Sequence, residues 1–93
     1  MHELIGCFVK SIAGRDIGKY YVIIDTHNEY VYLVDGKIRT LNHPKKKNLK
    51  HVKRLRYFDP RLSESINKKL VRDEEIKRAI KLLQVEISNK EVE

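Results

Sequence analysis

Ninety-three residues, 41% hydrophobic and 35% charged, make one small domain that is apolar enough to fold but has little room for a deep substrate cleft. Twenty Lys and Arg against 13 Asp and Glu leave a net charge of +7, which attracts polyanions, nucleic acid before anionic membrane. One cysteine excludes an internal disulfide framework and fits a reducing compartment, and no apolar run reaches the ~18 residues of a membrane span.

The opening Met1-His2-Glu3-Leu4-Ile5 lacks the basic-then-apolar layout of a secretory signal, so a soluble cytoplasmic protein is expected. Ile5, Cys7 and Val9 then alternate with Gly6, Phe8 and Lys10, the period of a strand with one face inward. Two β-branched and aromatic runs follow, Lys19 to Asp25 and Tyr30 to Val34, with a turn at Thr26-His27-Asn28 between them. Asp35-Gly36 suits a tight hairpin turn, which predicts a fourth strand over Lys37–Leu41. Pro44 should end it, since proline cannot donate to a ladder. A fifth strand is expected within His51–Phe58, its phase disturbed by the three-residue spacing of Val52 and Leu55. Five short strands in under 60 residues favour a small closed barrel over a sandwich.

The period changes at Asp59-Pro60, a cap followed by proline at the first helical position. Leu62, Ile66 and Leu70 fall on one face of a first helix. A second begins near Asp73, with an apolar stripe of Ile76, Ala79, Ile80, Leu83 and Ile87. Helices this short need a partner surface, so both are expected to dock on the barrel. The tail from Ser88 to Glu93 reads as frayed. The expected organisation is a mainly β barrel over 1–58 and a helical appendage, two short α-helices, over 59–93.

The charge is unevenly placed. Residues 1–36 have a net charge of −2 and residues 59–93 a net charge of 0, while residues 37–58 hold nine Lys or Arg and no acid. Lys45, Lys46, Lys47 and Lys50 read as a loop after Pro44, with His51, Lys53, Arg54 and Arg56 continuing the strip. Such a strip suits phosphates, whose released counterions give affinity without sequence choice. Upstream, Gly14-Arg15-Asp16-Ile17-Gly18-Lys19 joins the first two strands. Two glycines four apart permit a sharp turn and close backbone approach, with Arg15 and Lys19 at its rim. This is not a Walker loop, because Gly-x-x-x-x-Gly-Lys-Ser/Thr is absent.

Ile5-Gly6-Cys7-Phe8-Val9 followed by Gly14-Arg15-Asp16-Ile17-Gly18-Lys19-Tyr20-Tyr21-Val22 resembles the KOW motif. With Tyr30 to Arg39 and Pro44-Lys45-Lys46-Lys47-Asn48-Leu49-Lys50-His51, the chain looks like short bacterial KOW-domain proteins related to archaeal and eukaryotic large-subunit ribosomal proteins. The resemblance spans residues 5 to about 56. It implies an SH3-like barrel, RNA binding, association with ribosomal particles and no enzymatic activity. It also implies that Gly14 and Gly18 shape an RNA-facing loop flanked by Arg15 and Lys19, with Asp16 counted among the RNA-binding residues. A protein-interaction module of the transcription-elongation KOW type, binding an acidic partner, is the alternative.

Little else in the chain suggests chemistry. Cys7 lies in an apolar strand, which makes an inert thiol. His2, His27, His43 and His51 show no structural-zinc spacing among themselves or with Cys7. No catalytic triad order, metal or cofactor is expected. The expected state is a monomer bound to RNA and to no membrane.

Overall fold

The computed structural model describes residues 2–91. Its five strands are β1 (Phe8–Ser11), β2 (Tyr20–His27), β3 (Tyr30–Val34), β4 (Lys45–Asn48) and β5 (Val52–Arg54). Two helices follow, α1 (Pro60–Asn67) and α2 (Asp73–Glu91). The strands form one antiparallel sheet in the order β4-β3-β2-β1-β5. The expected mainly-β chain with two C-terminal helices is therefore observed.

Each face of the sheet carries its own core. On one face Cys7, Val9, Tyr21, Ile23, Val31, Leu33 and Val52 pack together. On the other, Phe8, Val22 and Val34 meet Leu62 and Ile66 of α1 and Ile76, Ile80 and Leu83 of α2. Burial on both faces explains why the β2 and β3 segments read as continuous apolar runs rather than alternating ones. The pairing of β2 with β3 shifts register between Ile23 and Asp25, where two isoleucines stand side by side.

The helices begin where the sequence places them. Asp59 caps α1 by accepting from the Arg61 and Leu62 amides at 3.0 and 3.3 Å, and Pro60 takes the first helical position. Leu70 departs from expectation. The helix ends before it, Lys69 turns left-handed with φ 59°, and the leucine is exposed. Ser88–Glu91, expected to fray, continue α2, and residues 92–93 of that tail lie outside the described residues.

Two glycines are the seats of the helices. Gly6 lies against α1, where a Cβ would stand 2.6 Å from that of Ser63, and the Ser63 hydroxyl donates to the Ile5 carbonyl at 3.0 Å. At Gly36 a Cβ would collide with the Asp73 carbonyl and sit 2.7 Å from the Lys77 amide nitrogen of α2.

That contact overturns the fourth strand expected over Lys37–Leu41, which is a loop. Asp35 Oδ1 accepts the amides of Lys37, Ile38 and Arg39 at 2.8, 3.0 and 2.8 Å, and Asp73 Oδ1 accepts that of Leu41 at 2.8 Å. The donors a ladder would use are therefore already taken. The strand instead follows Pro44, on the Lys-Lys-Lys-Asn segment expected to be a loop. The β2–β3 turn also moves, to Asn28-Glu29, with Asn28 at φ 54°.

Candidate nucleic-acid interface

The β1–β2 loop is built around a carboxylate. Asp16 is 5% exposed and accepts from the Ser11 hydroxyl of β1 at 2.7 Å and the Tyr21 hydroxyl of β2 at 2.8 Å. From β4, Lys47 Nζ donates to Asp16 Oδ1 at 2.8 Å and Lys45 Nζ lies 3.0 Å from Oδ2. Lys47 also donates to the Ala13 carbonyl at 2.8 Å. Both oxygens are thus saturated, as a buried charge requires.

The electrostatics follow from that packing. Burial works to raise the Asp16 pKa, but the hydrogen bonds of Lys47, Ser11, Lys45 and Tyr21 outweigh it and hold the carboxyl well below the usual carboxylate range. Burial, then the bond to Asp16 and its charge, push the Tyr21 phenol above its ordinary value.

This geometry corrects the expected roles of Asp16, Lys45 and Lys47. Asp16 faces inward and positions the loop; it does not stand at its rim. Lys45 and Lys47 occupy alternate positions of an edge strand and turn toward Asp16, so neither is a free loop cation. The Lys47 side chain is only 9% exposed. Lys46, on the opposite face of β4, is exposed and sits 4.4 Å from the Tyr30 ring centroid. The structure nevertheless brings together the Gly-Arg-Asp and Pro-Lys-Lys-Lys segments, 31 residues apart in the chain.

Seven expected site cations remain exposed: Arg15 and Lys19 on the loop, Lys46, Lys50, Lys53 and Arg54 along β4 to β5, and Arg56 beyond. Among the described residues, none of the seven forms an ion pair with a carboxylate. His51 is half-buried in the 3-10 turn Leu49–His51. Gly14 and Gly18 are exposed at the two bends of the loop, with φ 88° and 90°. The sequence reading did not single out Ile12 and Ile17, which are 52% and 65% exposed beside these cations. A β-branched residue lodged between the two loop glycines is the signal that marks Ile17.

No tyrosine stands fully free as a stacking platform. Tyr21 is buried, and Tyr20, Tyr30, Tyr32 and Tyr57 are half-buried. Three of these rings lie under lysines: Lys10 over Tyr20 at 5.6 Å, Lys46 over Tyr30, and Lys90 over Tyr57 at 4.9 Å.

Cys7 is 1% exposed and donates to the Glu3 carbonyl at 3.3 Å. Burial raises its pKa against the opposing influence of Arg54, which leaves a protonated thiol. Among the described residues, no group of three or more His, Cys, Asp or Glu could hold a metal ion, and no helix is long and apolar enough to cross a membrane. No protein-family model matches the chain, and no curated protein matches it.

Proposed function

We propose that the protein is an RNA-binding module of the KOW type, acting in the cytoplasm on ribosomal or other structured RNA and carrying out no catalysis. The observation that carries this reading is the set of seven exposed cations without a carboxylate partner, gathered on the β1–β2 loop and the two sheet edges. Phosphates bound there release counterions, and specificity comes from the shape of the RNA rather than from base edges.

The sheet geometry supports an SH3-like barrel. Laid flat, the outer strands β4 and β5 would stand about 19 Å apart, four spacings of ~4.8 Å. They are joined only by the 3-10 turn Leu49–His51, which advances about 8 Å from Asn48 to Val52 at ~2 Å per residue. The turn is tied at both ends: the Leu49 amide donates to the Glu29 carbonyl at 2.8 Å and the Ile12 amide to the His51 carbonyl at 2.9 Å. A sheet that meets this constraint curls, so that Lys46, Lys50 and Lys53 follow one continuous rim.

The test is sedimentation of cell lysate: the protein travels with ribosomal particles at low salt and leaves them at high salt. If all seven cations contact phosphate, log affinity falls against log salt with a slope of at most about 5–6. Sedimentation as free protein at every salt concentration favours the second reading, an acidic protein partner. Exposed Ile12 and Ile17 beside the loop cations give that reading its support.

A further inference from the structure

The cations of α2 lie outside the strip described above, and two of them converge on a groove. About 560 Å³ in volume, it runs between the β1–β2 loop, the loop after β3 and the side of α2. This is within the roughly 300–1,000 Å³ typical of ligand sites. Lys19 enters from the first loop, Lys37 from the second, and Lys77 and Lys81 stand one helical turn apart on α2. All four are exposed, and none is ion-paired among the described residues. Asp35 is the one carboxylate in the lining, and its Oδ1 is committed to the amides of Lys37, Ile38 and Arg39.

Folding alone does not favour this arrangement. Like charges at i,i+4 repel, and a glutamate at position 81 would instead face Lys77 and Arg78 and stabilise α2. Docking α2 over Gly36 brings Lys37 into the same groove as both, which adds a third like charge to its lining. Four lysines converging on a concavity fit an anion, and Lys19 joins this groove to the loop that carries Arg15.

We propose that the groove seats the phosphodiester backbone of the bound RNA, so that α2 forms a second wall of the interface. This rests on the RNA-binding reading and extends it to a helix to which the resemblance assigns nothing.

The test uses the full chain and a short RNA duplex. Lys77→Ala with Lys81→Ala is compared with Arg61→Ala plus Lys68→Ala, which removes the same charge from α1. All four positions are exposed and helical or at a helix end, so the fold tolerates alanine. The groove variant should show a slope of log affinity against log salt shallower by about 1.4–1.8, two contacts at ~0.7–0.9 each. The α1 variant should keep the wild-type slope. Equal slopes in the two variants would overturn the groove and leave the RNA reading intact. A wild-type protein that binds no RNA at any salt concentration would overturn both.

Discussion

Lys47 Nζ lies 2.8 Å from Asp16 Oδ1, and this bond fastens the edge strand β4 to the loop between β1 and β2. Two segments with separate sequence signatures become one structural unit through it. The same bond takes Lys47 out of the set of cations free to meet a phosphate.

Lys47→Ala and Lys46→Ala should therefore differ sharply. Breaking a buried ion pair from one side costs about 3–5 kcal/mol, and with Lys45 still beside Asp16 the lower end is expected. Lys46→Ala loses an exposed ring contact and should cost under ~1 kcal/mol. Urea denaturation of the two variants measures the difference. Equal midpoints would remove the buried pair from the account of stability.

Stability should fall in acid through Asp16. Its folded pKa lies below its unfolded value, so its contribution is complete at neutral pH. The loss begins near the unfolded value of about 3.9 and continues as pH falls toward the folded one. Thermal melts from pH 6 down to about 2 should show this slope in the wild type, and Asp16→Asn should flatten it from a lower starting stability.

Truncation after Phe58 should leave a cooperative, β-rich domain of reduced stability. The core of Cys7, Val9, Tyr21, Ile23, Val31, Leu33 and Val52 lies wholly within the retained residues. Phe8, Val22 and Val34 lose their helix partners, at about 1.5–3 kcal/mol for each side chain fully re-exposed. Circular dichroism with urea titration decides between a folded product and a disordered one.

Binding by the rim should depend on Lys46, Lys50 and Lys53 rather than on all three consecutive lysines. Replacing these three with alanine should make the salt slope shallower by about 2–3, with unrelated RNAs weakened by similar factors. Arg15→Ala should affect different RNAs unequally if the loop reads their shape. An unchanged slope in the triple variant would return these lysines to a solubilising role.

Much of the fold was legible because its determinants are local. Tyr20–Ile24 and Tyr30–Val34 carry β-branched and aromatic character, and Asp59-Pro60 carries a cap and its proline. β4 was illegible, because Lys45-Lys46-Lys47 has neither apolar period nor strand propensity. Pairing with β3 and a carboxylate 31 residues away make it a strand. Asp35-Gly36 misled for a related reason. Its glycine is needed where α2 packs, and Asp35 gathers the amides a returning strand would have used. The site divides the same way: the cations and loop glycines could be read, but which lysines face inward depended on tertiary pairing.

The two outer strands have a further consequence, for self-association. Each ends the sheet, and a terminal strand is the place where sheets of neighbouring molecules can join into fibrils. Exposed Lys46 stands on one of these strands and exposed Lys53-Arg54 on the other. Two like-charged edges repel when molecules approach side by side. Exposed cations on both outer strands would thus oppose edge-to-edge polymerisation of the unliganded protein.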